Sequence, residues 1–278
     1  MSDDPVARHL LLLRATLLAI TATTSAASHA SSALLFDIAQ LDPDLSLVHI
    51  TRDGGASSRM SGRIFYHDAC LPPGHLTKVD GVLATTAART VVDLARSLPF
   101  DAALVAAESA LNLKLTTLAE LDEVLAYCVD WPGARKAGRV VAFASPYSES
   151  PGETLGRIAF DALGVPQPHQ QVYIFDRYGF IARCDYFWEH FRTVGESTAR
   201  SSTWARRRAT TPCSWRRSAK TDCATLALRC ADSTGQSRAV GQNPCGTRRF
   251  RRSTGRPIGG RTAITTSSCS HQPADPRP

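Results

Sequence analysis

Phe191-Arg192-Thr193-Val194-Gly195-Glu196-Ser197-Thr198-Ala199-Arg200-Ser201-Ser202-Thr203-Trp204 contains the boundary on which the reading of this 278-residue chain turns. Up to Glu196 the chain reads as a folded protein. Beyond it, residues 197–278 carry 16 lysines and arginines against three acids, Asp222, Asp232 and Asp275, a net of +13. Residues 1–196 carry the other 16 basic residues and 22 acidic ones, a net of −6. The +7 of the whole chain is the sum of these two unlike segments. A basic chain ordinarily points to nucleic acid; here the excess belongs to the tail and says nothing about the part before it.

The tail is legible in a second frame. Written as the codons TCG ACG GCA AGG TCA AGT ACC TGG, Ser197 to Trp204 regroup after one added T to encode FDGKVKYL. Synonymous choices carry that frame on to Gln236 as a charged helical period, a glycine and an alternating strand-like run. The visible frame over the same span has Arg206-Arg207-Arg208, Cys213, Cys223, Cys230 and no sustained period. The expectation is a one-nucleotide frameshift at about codon 197, with residues 197–278 a disordered out-of-frame tail.

Working outward from the boundary, Ser150-Pro151-Gly152-Glu153 opens a helix, with serine at N-cap, proline at N1 and glutamate at N3, and Gly164 ends it. Strands are expected at 170–175, 180–187 and 191–196, the last two joined by the tight turn Trp188-Glu189-His190. Further upstream, residues 5–40 read as two helices, the first with Leu10, Leu13, Leu17, Leu18 and Ile20 on one face. Residues 46–51 and 63–67 read as strands, the second returning after a loop at Asp53-Gly54. Asp80-Gly81 is a type I′ hairpin signal. Helices follow at 86–98, 101–111, 117–128 and 134–144, the third opened by the capping box Thr117-Leu118-Ala119-Glu120 and closed by Trp131-Pro132-Gly133. The fold class is α+β. The divisions are a helix and β-hairpin region at 1–99, a helical segment at 100–146, a truncated α/β domain at 147–196 and the tail at 197–278.

His9 to Ile20 is apolar but short, acidic at its start and interrupted by Arg14, so it reads as an amphipathic core helix rather than a membrane span or a signal peptide. Cys70, Cys128 and Cys184 are widely spaced, and the five tail cysteines match no zinc pattern, which points to a reducing, cytoplasmic setting without a disulfide framework.

Three carboxylates are candidate catalytic residues: Glu153 near a helix start, Asp185 late in one strand and Glu196 at the end of the next. Antiparallel pairing brings Asp185 and Glu196 together if both face the helix at 150–163. Converging hard oxygen ligands suit Mg²⁺, with Asp185 and Glu196 as its ligands. The second frame supplies a lysine four residues after Glu196, which would steady an attacking water or a phosphate. Each residue also has a plain structural role open to it. Glu153 is a capping-box glutamate, Asp185 and Glu196 are solvated strand-end acids, and Arg157 is a partner for Glu153 one turn on.

Ser148 to Arg157, Gly164-Val165-Pro166-Gln167-Pro168, Ile181-Ala182-Arg183-Cys184-Asp185-Tyr186 and Val194-Gly195-Glu196 resemble an actinobacterial family with a C-terminal endonuclease-like domain of the very-short-patch-repair and PD-(D/E)xK type. Members usually continue after Gly-Glu with an acid-Gly and Lys-Tyr run, which FDGKVKY matches. Ser28 to Ala33, Val48-His49-Ile50-Thr51-Arg52 and Thr85 to Arg96 resemble the body of AbiEi-like antitoxins of type IV toxin–antitoxin systems. The resemblance covers roughly 28–196. It implies a restriction-endonuclease-like domain, incomplete here, and a metal-dependent DNA endonuclease ancestry with activity lost in the chain as written. The alternative it implies is a non-enzymatic antitoxin or regulator that binds DNA or a cognate toxin. The small winged-helix module often found at the family's N-terminus has no counterpart, and Phe36-Asp37 stands where the family usually has His-Gly.

Overall fold

Asp4 accepts a hydrogen bond from the Val6 N–H and Pro5 presets the first helical φ, so α1 (Pro5–Ala19) begins where the apolar run does. The computed structural model describes residues 4–20, 24–54, 57–198, 225–231 and 237–240. By internal contacts they form two units, one running to Ala159 and the other comprising Phe160–Thr198 with the segments from Thr225 onward.

The first unit holds a six-stranded mixed sheet. In chain order its strands are β1 (Ser25–Ala27), β2 (Val48–Arg52), β3 (Arg59–Ser61), β4 (Ile64–Asp68), β5 (Leu76–Val79) and β6 (Val82–Thr85), arranged β3-β4-β2-β1-β6-β5. α2 (His29–Leu35) follows β1. The Asp80-Gly81 hairpin forms as expected, with both residues at positive φ and Val79 facing Val82. The strand at 64–68 runs parallel beside β2, Val48 opposite Ile64 and Thr51 opposite His67. The short β3, absent from the sequence reading, takes the antiparallel place at the edge of β4. α1 buries Leu13 against Ala27, Val48, Ile50, Val82 and Ala84. Leu18, expected on that inner face, is exposed, while His9 and Thr16 are buried in its stead.

Four helices carry the larger core: α3 (Ala87–Ser97), α4 (Phe100–Asn112), α5 (Leu118–Tyr127) and α6 (Ala134–Phe143). Val91, Leu94, Leu104, Leu111, Leu121 and Val140 meet there; each fully buried aliphatic side chain contributes about 1.5–3 kcal/mol. Because α3 packs with α4, α5 and α6 in one core, the helical segment at 100–146 is not separate from the region before it. The Thr117 capping box is present in both directions. Gly133 sits at φ +83° with its missing Cβ aimed 2.4 Å from the Arg96 carbonyl oxygen, so only glycine closes that turn.

α7 (Pro151–Ala162) starts in the first unit, and from Phe160 onward it belongs to the second. The second unit is an antiparallel sheet of β7 (His169–Asp176), β8 (Gly179–Trp188), β9 (Thr193–Thr198), β10 (Thr225–Ala231) and β11 (Ser237–Val240), in the order β11-β10-β9-β8-β7. Phe160 packs edge-on against Tyr186 and Trp188, at 5.1 and 4.9 Å between ring centroids. The tail departs from expectation at two places. Thr225-Leu226-Ala227-Leu228-Arg229-Cys230-Ala231 pairs with β9 from Thr198 back to Thr193, and Ser237–Val240 pairs with it in turn. β9 is therefore paired on this side as well. The rest of the expected disordered tail, at 199–224, 232–236 and 241–278, lies outside the described residues.

Candidate functional site

Glu153 lies in the first unit and serves the start of its own helix. Ser150 Oγ accepts the Glu153 N–H at 3.3 Å and donates to Glu153 Oε1 at 2.9 Å, while Glu153 Oε2 accepts the Glu149 N–H at 3.0 Å. The side chain is buried; the Ser150 half of the foreseen cap is present, while the glutamate reaches back to the Glu149 N–H, one residue before the N-cap. Arg157, foreseen as its partner one turn on, makes a buried ion pair with Glu108 and donates to the Phe143 carbonyl at 2.9 Å. Thr154 Oγ1 and the Ser145 N–H also donate to Glu108, at 2.8 and 3.0 Å. Burial pushes the Glu108 carboxyl above its usual range; Arg157 and the hydrogen bonds act against that shift.

Asp185 and Glu196 lie in the second unit on β8 and β9. Tyr186 faces Gly195, Phe187 faces Val194 and Trp188 faces Thr193; one further step sets Asp185 opposite Glu196. The Ser197 N–H donates to Asp185 Oδ2 at 2.8 Å. Asp185 is half-buried and Glu196 exposed. The two acids therefore share a face, as the antiparallel turn requires. It is not the face covered by the helix, since Phe160 packs on Tyr186 and Trp188, the alternate residues of β8. Two neighbouring carboxylates with open water access match the way Mg²⁺ is held, by one or two carboxylates, several waters and substrate phosphate oxygens. Glu153 is already engaged by its own helix start, and no group of three or more His, Cys, Asp or Glu side chains able to hold a metal occurs among the described residues.

Sequence reading missed a second cluster, in the first unit. His29 and His67 stack at 3.6 Å between ring centroids, His67 meets Phe65 at 4.6 Å, and His49 Nδ1 lies 2.9 Å from His67 Nε2. His29 opens α2 at φ +49°, an uncommon conformation for a non-glycine residue. Burial drives His29 well below the usual imidazole value, with His49, Arg96 and Arg89 adding to the shift. Burial also lowers His49, and brings His67 to about 2, helped by His29 and His49 and opposed by Asp93. The stack is thus neutral at pH 7. Beneath it, Asp93 bridges Arg89 and Arg96 at 2.8 and 2.9 Å, and both guanidinium groups stack on Trp131. Arg89 also donates to the Cys70 carbonyl at 3.2 Å. The signal for this cluster was three histidines, at the start of α2, early in β2 and late in β4. Only the parallel register of β2 and β4 makes them neighbours.

Cys70, Cys128 and Cys184 are free thiols. No described helix is long and apolar enough to cross a membrane. No protein-family model matches the chain. Over 121 residues it is 31% identical to an uncharacterized protein in each of two strains of Mycobacterium tuberculosis, an alignment covering 44% of this chain and 45% of each relative. The chain thus spans about half the length of the curated relatives it matches.

Proposed function

We propose that this chain derives from a metal-dependent DNA endonuclease-fold protein and is inactive as written, because a one-nucleotide frameshift after Glu196 removes the lysine and the closing elements of its second unit. The observation that carries the reading is the β8–β9 register, which extended one step beyond Tyr186–Gly195 would set Asp185 opposite Glu196 on one sheet face. These two side chains would hold Mg²⁺, which when bound supplies charge neutralisation at a phosphodiester and an activated water. Asp185 is fixed by the Ser197 N–H; Glu196 projects toward solvent, where a phosphate arrives.

The first out-of-frame residue adds support. Ser197 Oγ is buried without a hydrogen-bond partner, which costs about 1–3 kcal/mol. By alternation it follows Gly195, whose Cα lies close against Tyr186 and Trp188. The second frame puts phenylalanine at this position, an apolar ring for an aromatic face. A cytoplasmic location fits the free thiols. A second reading, an AbiEi-like antitoxin that binds DNA or a toxin without catalysis, draws on the first unit, whose mixed sheet and helices share two hydrophobic clusters.

A plasmid-nicking assay with Mg²⁺ or Mn²⁺ tests the proposal on the written chain and on a chain with one base restored at codon 197. The repaired chain is expected to nick, and Asp185→Ala or Glu196→Ala to abolish it. The written chain should fall at least about 100-fold lower, the scale of loss when a catalytic group is misplaced by about 1 Å. Equal activity in both chains would clear the tail of blame. A silent repaired chain that binds DNA or a partner tightly would move the assignment to the antitoxin reading.

A further inference from the structure

The sheet face that carries Asp185 and Glu196 also carries a row of exposed rings. Tyr173 pairs with Arg183 across β7 and β8, and Arg183 stands two residues from Asp185, on the same side of its strand. Beyond that pair the register shifts, Phe175 meets Phe180, and Ile181 is left out of the ladder. The shift carries Phe180 to the Tyr173 side, where its ring lies 6.3 Å from Tyr173 and 5.7 Å from Phe175. These rings are not core: Tyr173, Phe175 and Phe180 are 49%, 39% and 60% exposed. Arginines attend them. The Arg183 guanidinium lies 5.8 Å from the Tyr173 ring centroid, and that of Arg177 lies 4.7 Å from Tyr178 at the hairpin tip.

We infer that this face is a stacking platform for an unpaired nucleic-acid strand, with bases on Tyr173, Phe175 and Phe180 and the backbone passing Arg183 toward Asp185 and Glu196. The inference rests on the nuclease-fold reading and names the substrate class of that site. The row is made of π faces, which take any unstacked base, and guanidinium groups beside them meet phosphate. A duplex hides its base faces and has nothing to lay on such a row. The row also ends at the carboxylate pair, so a strand resting on it brings a phosphodiester to the proposed metal ligands. The rival occupant is a second copy of the chain, paired through β7, which is the edge strand of its sheet.

The test is fluorescence anisotropy of a labelled short oligothymidylate and of a labelled duplex of equal length, with the full chain in EDTA. The single strand is expected to bind at least about tenfold more tightly than the duplex. Tyr173→Leu and Phe180→Leu, which keep apolar bulk and remove the π face, are each expected to weaken it about 5- to 100-fold. Tyr173→Phe retains binding, and Tyr147→Leu, an equally exposed ring in the first unit, leaves it unchanged. Preference for duplex, unchanged binding in the leucine variants, or no binding overturns the inference. So does a concentration-dependent dimer in sedimentation equilibrium that Tyr173→Leu abolishes. The assay contains no metal, so the two readings fail separately. A repaired chain that nicks without preferring single strands sinks this inference alone. Single-strand binding without nicking by the repaired chain sinks only the catalytic reading.

Discussion

His67 has one ring face 3.6 Å from His29 and a nitrogen 2.9 Å from His49. None of the three can take a proton without placing a charge in a closed, ring-lined space. Burial therefore holds each folded-state value below the 6.5 of a free imidazole, down to about 2 for His67. As pH falls through 6.5 the unfolded chain takes up protons first. Stability that is full above 6.5 is lost progressively toward the folded values. Between pH 7 and pH 5 His67 is expected to remove about 2 kcal/mol. Urea midpoints at the two pH values measure this. His67→Gln should flatten the dependence, and equal midpoints in the unsubstituted chain would refute the neutral stack. At Glu108 burial acts in the opposite direction, raising the carboxyl, and four groups work against that shift: Arg157, Ser148, Thr154 and the Ser145 N–H.

At the scale of elements, the starts and stops of helices follow from local chemistry. Ser150 and Thr117 cap, Pro151 and Pro5 begin, Gly133 and Gly164 turn the chain at positive φ. Pairing is less local. β9 is bordered by β8 through a tight turn, and by β10 from more than twenty residues further along the chain. Leu228 stands in the middle of β10, opposite Gly195 on one side and Val240 on the other. Leu228→Pro removes a ladder donor from an internal strand, a loss of about 3 kcal/mol. Amide hydrogen exchange at Val194 to Glu196 is then expected to quicken by roughly two powers of ten. Unchanged exchange would show that β10 does not protect β9.

For the whole molecule, the two units differ in how much core they own. The first has a helical core and a sheet core; the second has Phe160, Tyr186 and Trp188. Calorimetry of the written chain is expected to show a strong transition for the first unit and a weak, lower one for the second. Ser197→Phe places the residue of the second frame where Ser197 Oγ lies unpaired. A gain of about 1–3 kcal/mol there would raise the lower transition by at least about 5 °C. A single transition unmoved by the substitution would count against both the division and the frameshift proposal.

What the sequence determined by itself was local: the caps at Thr117 and Ser150, the Asp80-Gly81 turn, the α+β class, and the antiparallel pairing of the strands on either side of Trp188-Glu189-His190. Each depends on residues close in the chain, where propensity and geometry act without further partners. The tertiary structure alone decided the rest. It decided that β4 runs parallel to β2, which gathers His29, His49 and His67. It sent Arg157 to Glu108, 49 positions away, and turned the Asp185–Glu196 face away from Phe160. It also seated Thr225–Ala231 beside β9. These outcomes turn on which surfaces meet across long loops. Such meetings are set by the burial of whole faces and the satisfaction of backbone groups, neither of which is written in any short stretch of residues.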